Sequence, residues 1–167
     1  SVLDKSNFEG KVDLIEGICS GSMHVSLAYA EAAHSYEYLK PDTNVSDDNK
    51  LNGTKTLVLN GKNASKVIVS CVKNGELSLV LVDKTAEGVS FNTFRTIDEK
   101  TCAEFTFENV SIQDSDVIAS GDEAINLLTE TINLATLCIS AEAVGCMVSC
   151  YNKTVQYTKE REQFDQP

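Results

Sequence analysis

Ile125-Asn126-Leu127-Leu128-Thr129-Glu130-Thr131-Ile132-Asn133-Leu134-Ala135-Thr136-Leu137-Cys138-Ile139 opens the stretch whose reading decides the fold. From Asp122 to Phe164 the spacing predicts one long helix. Ile125, Leu128, Ile132, Ala135 and Ile139 form a stripe at helical period. Leu127, Leu134, Leu137, Cys138, Ala141, Val144, Met147 and Val148 fill most of the other faces. A helix apolar on nearly every side belongs inside a bundle or a membrane. Asn126, Glu130, Asn133, Ser140 and Glu142 interrupt the apolar run, so a membrane span is not expected. Helical partners are expected from chain beyond Pro167 or from another subunit. Ser120 or Asp122 is positioned to cap the helix, with Glu123 near its positive end.

Upstream, the pattern changes from period 3.6 to period two. Three zones result: residues 1–24 as a helix tail and linker, 25–118 as a β domain, and 119–167 as the long helix. Strands are expected at Val25–Ala30, Leu51–Leu59, Lys66–Val72, Leu77–Val82, Val89–Ile97 and Ala103–Val110. Asn74-Gly75 marks a hairpin between the third and fourth, and Asn52-Gly53 is a second tight-turn pair. Lys40–Lys50 reads as a surface loop or edge. No helical pattern separates the strands, so the class is mainly β with helical ends. An antiparallel barrel or two packed sheets, followed by one long helix, is the expected architecture.

The net charge of −11 over 167 residues disfavours nucleic acid and anionic lipid as partners. Mean hydropathy of −0.14 is that of a globular protein. The six cysteines have no CxxC spacing and three lie in the apolar helix, which points to reduced thiols in a cytosolic or organelle-lumen setting. His24 and His34 lack ligand-spaced partners, so no metal site is expected. No Walker loop, GxGxxG, GxSxG or HExxH is present. Residue types alone stop at a β domain with an unpartnered helix.

Local wording goes further. Leu27-Ala28-Tyr29-Ala30-Glu31, Leu51-Asn52-Gly53-Thr54-Lys55 and Ala103-Glu104-Phe105-Thr106-Phe107-Glu108-Asn109-Val110 follow in order, then Ala141-Glu142-Ala143-Val144-Gly145 and Tyr157-Thr158-Lys159-Glu160-Arg161-Glu162-Gln163-Phe164. Together they resemble the FAD-dependent acyl-CoA dehydrogenases, with wording similar to members assigned to pimeloyl-CoA and related dicarboxylic or steroid-side-chain substrates. The resemblance implies the end of an N-terminal helical domain, the middle β domain, and the first helix of a C-terminal four-helix bundle. It implies FAD, an acyl-CoA substrate, an electron-transfer flavoprotein or similar acceptor, and a homo- or hetero-oligomer in the bacterial cytoplasm or mitochondrial matrix. It places Leu27, Tyr29, Ala30, Tyr36, Leu57, Val58 and Leu59 at the flavin, and Arg161 and Phe164 at the cofactor's far end across a dimer. An arginine's planar fork suits diphosphate oxygens; its plainer reading is a solvated charge at a helix end.

The chain departs from the family pattern at informative points. Ala30 stands where Thr or Ser is usual, Ser35-Tyr36-Glu37 replaces Gly-Ser-Asp, and Leu57-Val58-Leu59 replaces a Trp-(Ile/Val)-(Thr/Ser) run. Lost hydroxyls remove ring donors worth about 1 kcal/mol each. Thr136 matches an arginine near the acyl-CoA, and Asp165 a glycine. The catalytic glutamate of most members would lie beyond Pro167, and the minority position is Ala135, so no catalytic residue is expected in this chain. Two functions follow: part of an acyl-CoA dehydrogenase forming a trans-2-enoyl-CoA, or a non-catalytic, flavin-poor partner subunit of a heteromeric one.

Overall fold

A computed structural model describes residues 2–33 and 37–163. The chain divides into two units, Ser1–Leu128 and Thr129–Pro167. The first contains two short helices, α1 (Val2–Lys5) and α2 (Lys11–Cys19), and eight strands: β1 (Val25–Ala28), β2 (Asn44–Val45), β3 (Lys50–Leu59), β4 (Lys66–Lys73), β5 (Glu76–Asp83), β6 (Val89–Arg95), β7 (Thr101–Ser111) and β8 (Val117–Ser120). Helix α3 (Gly121–Glu160) begins in this unit and continues through the second.

The strands form one open sheet in the order β6-β7-β3-β2-β4-β5-β8, with β1 paired to β4 off that path. A closed barrel is therefore not formed. Most pairings are antiparallel, but β1 and β2 both run parallel to β4. The hairpin β4–β5 forms at the predicted turn. Asn74 and Gly75 take φ of 53° and 81°, the double left-handed geometry that suits a twisted two-residue loop. Asn52-Gly53, by contrast, makes no turn. It lies inside β3, at a register shift against β7. Gly53 has φ of 143°, and a Cβ there would sit 2.7 Å from the Thr43 Cα. The glycine serves a close approach between backbones rather than a reversal. Within the expected loop at 40–50, Asn44 and Val45 form β2, wedged between β3 and β4.

The core follows from the period-two pattern. Val67, Val69 and Cys71 of β4, Val80 and Val82 of β5, and Ala103, Phe105 and Phe107 of β7 share one face with Leu51 and Val58 of β3. β4 and β5 are buried on both faces, with Ile68 and Leu79 also shielded from solvent. Val2, Leu3, Leu14, Ala124, Leu127 and Leu128 are buried outside the main cluster. Asn7 Nδ2 donates to Glu123 Oε1 at 3.2 Å, which ties the N-terminal segment to the first turn of α3. The first turns of α3 thus bury 124, 127 and 128, whereas Ile125 of the expected stripe stays exposed. Ser120, expected as a cap, shares a 2.9 Å hydrogen bond with Ser78 instead.

Within the second unit α3 is continuous and its apolar side chains are bare. Leu134, Leu137, Ile139, Val144, Met147, Val148 and Tyr151 are all exposed. A Cβ on Gly145 would meet nothing within 4 Å. The polar interruptions do not exclude a span by length and composition: α3 contains an 18-residue window of mean hydropathy 1.5 with at most two charged residues. The sequence criterion used to set a membrane aside is thus insufficient. An apolar helix awaiting helical partners passes the same test.

Candidate functional site

The ring-facing residues implied by the resemblance lie on two adjacent pieces of chain. One is β1 with the residues after it, Leu27, Tyr29 and Ala30. The other is the end of β3, Leu57 to Leu59. Two hydrogen bonds hold them side by side: Thr56 N–H donates to the Ala30 carbonyl at 2.9 Å, and Ser26 Oγ donates to the Leu59 carbonyl at 2.9 Å.

Between Lys55 and Val58 the register against β7 shifts, and Leu57 takes φ of 51°. That bulge turns the alternation of β3. Leu57 and Leu59 are 53% and 59% exposed, while Val58 is 1% exposed and sits in the core. The Val58 side chain is turned into the core, which leaves its backbone as the part that faces this surface. Leu27, Tyr29 and Ala30 are half-buried, and the Tyr29 ring meets Tyr38 edge-on at 6.2 Å.

This surface can receive the flat, apolar face of an isoalloxazine ring. None of the side chains at 27, 30, 57 and 59 can donate a hydrogen bond, so donors to the ring's oxygens and nitrogens would be backbone N–H groups or the Tyr29 hydroxyl. The residues present fit the ring's face. The positions expected to meet the rest of the cofactor are less informative. Tyr36 and Phe164 lie outside the described residues. Arg161 lies in the second unit, exposed, with its guanidinium 5.5 Å from the Tyr157 ring and hydrogen-bonded to that residue's hydroxyl.

Next to the ring-facing residues is a buried polar cluster that residue types did not single out. Lys55 is 0% exposed, and its Nζ donates to Glu31 Oε1 at 2.6 Å and to Ser70 Oγ at 3.0 Å. Glu31 also accepts from Thr43 Oγ1 at 2.6 Å, Thr43 N at 3.1 Å and Asp42 N at 2.7 Å. Burial works against the charge on Glu31, but the bonds from Lys55, Thr43 and Asp42 prevail and hold its carboxyl below the usual range. Burial likewise pulls the Lys55 ammonium below the ordinary lysine value, opposed by Glu31. The Cys71 thiol is pushed up to about 12 by burial, against the pull of Lys55 and Lys73. Residue types gave no signal for the cluster, since Lys55 stands among polar neighbours in β3 and its partner lies 24 residues earlier. An open cleft of about 410 Å³ adjoins the cluster, lined by Glu31, Asp42, Thr43, Asn52 and Gly53 among others.

No group of three or more His, Cys, Asp or Glu side chains placed to hold a metal occurs among the described residues.

The profile of the acyl-CoA dehydrogenase middle domain matches residues 26–110. A mitochondrial 2-methylacyl-CoA dehydrogenase of Solanum tuberosum is 27% identical over 128 residues, covering 70% of this chain and 30% of its own length. Among solved structures, a glutaryl-CoA dehydrogenase of Mycobacterium smegmatis in complex with FADH2 superposes with a TM-score of 0.84 at 22% identity, over 99% of this chain and 45% of that one. The ChsE4-ChsE5 complex of Mycobacterium tuberculosis gives a TM-score of 0.71 at 19% identity, over 79% of this chain and 38% of that one. The chain thus spans less than half the length of these relatives. The profile match spans half of the chain, and the chain belongs to the acyl-CoA dehydrogenase family.

Proposed function

We propose that this chain supplies the flavin-facing β domain and the first bundle helix of an acyl-CoA dehydrogenase whose substrate is an acyl-CoA thioester. The observation that carries the reading is the pair of bare leucines, Leu57 and Leu59, set beside Leu27 and Ala30 by the bulge in β3. Bound there, FAD would supply hydride acceptance from the substrate's β-carbon. This chain's residues would hold the ring face and exclude water from it. A base for the α-proton would come from elsewhere in the whole protein. The parent would work in a bacterial cytoplasm or a mitochondrial matrix and pass electrons to an electron-transfer flavoprotein or similar acceptor. The exposed apolar side chains of residues 134–151 support an oligomer or an intact helical bundle as the setting. The test is the visible spectrum of the full-length protein. A flavin band that bleaches on adding acyl-CoA is expected. No flavin absorbance and no acyl-CoA oxidation would end the proposal.

A second reading rests on the same surface. With no donor side chain at Ala30, Leu57 or Leu59, the protein suits the role of a flavin-poor partner that lends its interface to a complete dehydrogenase subunit. The similarity to one chain of a two-protein complex supports it. Co-purification with a second dehydrogenase chain is its expected signature, and a flavin-replete homotetramer would remove it.

A further inference from the structure

We propose that the buried Glu31–Lys55 pair is a positioning device that sets the gap between the two halves of the ring-facing surface. The inference rests on the flavin reading above and adds a role for residues that no ring contact requires.

β3 and β4 are not paired to each other. The two-residue β2 bridges them at one end, and at the other β1, paired to β4, meets β3 through the Thr56 N–Ala30 O and Ser26 Oγ–Leu59 O bonds. The ring-facing surface straddles this seam. Leu57 and Leu59 belong to β3, whereas Leu27, Tyr29 and Ala30 are carried by or follow β1, which is paired to β4. Lys55 spans the seam directly, from β3 to Ser70 on β4 at 3.0 Å. Its other partner, Glu31, holds the approach to β2 through the Asp42 and Thr43 amides. One ammonium and one carboxylate therefore fasten four segments. Each charged residue also adjoins a residue of the backbone link across the surface, Thr56 N to Ala30 O.

Stability alone is a poor reason for such a pair. Apolar residues of similar volume commonly replace a buried ion pair without loss, whereas removing one partner leaves an uncompensated charge. A fixed distance between two strands is what the pair provides and an apolar replacement does not.

The test compares the wild-type full-length protein with Glu31→Gln/Lys55→Met, whose glutamine oxygen can still accept from the Asp42 and Thr43 donors, and with Ser70→Ala, which cuts only the link to β4. Thermal midpoint, FAD dissociation constant, flavin fluorescence and amide exchange at Thr56 are read together. The double variant is expected to keep its midpoint within about 4 °C, weaken FAD binding about tenfold or more, and change the flavin emission. Both variants should speed Thr56 exchange about tenfold. A stable double variant with unchanged FAD affinity overturns the proposal. If the double variant does not fold, Ser70→Ala decides by the same two readouts. If the wild type binds no FAD, the flavin reading fails, and unchanged Thr56 protection in Ser70→Ala or the double variant still overturns the clamp itself.

Discussion

Gly53→Ala should be among the most damaging single-methyl additions in this protein. Two costs combine. The residue has φ of 143°, where an L side chain is strained by about 1–3 kcal/mol. The new Cβ would lie 2.5 Å from Thr43 Oγ1, 2.7 Å from its Cα and 2.8 Å from its Cβ. Thr43 cannot retreat cheaply, because Glu31 accepts from its hydroxyl and its amide while its carbonyl accepts from Val72 N at 2.9 Å. Overpacking against a fixed backbone adds about 1–3 kcal/mol. The sum is about 2–6 kcal/mol, a large part of the stability of an ordinary domain. Gly75→Ala supplies the control: φ is 81°, but nothing lies within 4 Å, so only the backbone cost of about 1–2 kcal/mol applies. Urea unfolding followed by circular dichroism separates them. At about 2 kcal/mol per molar urea, Gly53→Ala should lower the midpoint by roughly 1–3 M and Gly75→Ala by about 0.5–1 M. Equal losses in the two variants would refute the close-approach argument.

Acid sensitivity should trace in part to Glu31. Its carboxyl is depressed on folding from an ordinary 4.5, so the stability it contributes is present above that value and is lost as pH falls through the lower folded value. Urea midpoints from about pH 7 to 2.5 should fall less steeply for Glu31→Gln than for wild type, from a lower starting point, and parallel slopes would contradict this. Thiol chemistry should divide the cysteines: Cys71 and Cys102 are buried, and Cys19 is exposed. A thiol reagent at neutral pH should label Cys19 rapidly and leave Cys71 and Cys102 unlabelled until denaturant is added, as read by peptide mass. Leu79→Ala should cost about 2–5 kcal/mol, since the side chain is fully buried; a loss under about 1 kcal/mol would mean the outer face of β5 is loosely covered. The bare helix should drive self-association of this 167-residue chain, and Leu137→Glu with Met147→Glu should shift sedimentation toward monomer.

The legible parts of the fold were those written in local sequence. The Asn74-Gly75 hairpin could be read because both of its turn positions need positive φ and strong alternation flanks them. The long helix could be read from its period, though not which of its residues the β domain would bury. Asn52-Gly53 misled because the same dipeptide serves a turn and a bulge, and the choice depends on Thr43, which approaches from elsewhere. β2 and β8 have too few residues for a period to appear. The stretches at 27–30 and 57–59 were singled out through resemblance, while the exposure of Leu57 and the burial of Val58 depend on a register shift that alternation alone does not reveal. The Glu31–Lys55 cluster stayed hidden because a charged residue reads as solvent-facing until its buried partner is known.

The outermost strand, Val89–Arg95, carries a consequence for handling the protein. It lies at one end of the sheet, and both of its faces meet solvent, with Phe91 and Phe94 partly bare and Ile97 just beyond it fully so. Its outer amides and carbonyls form a template on which a foreign strand can crystallise. Lys84, whose ammonium sits 4.3 Å from the Phe91 ring, acts as a sentry there. High salt, which mutes such charges, should therefore hasten fibrous precipitation, and dilute low-salt buffer should be the safer storage medium.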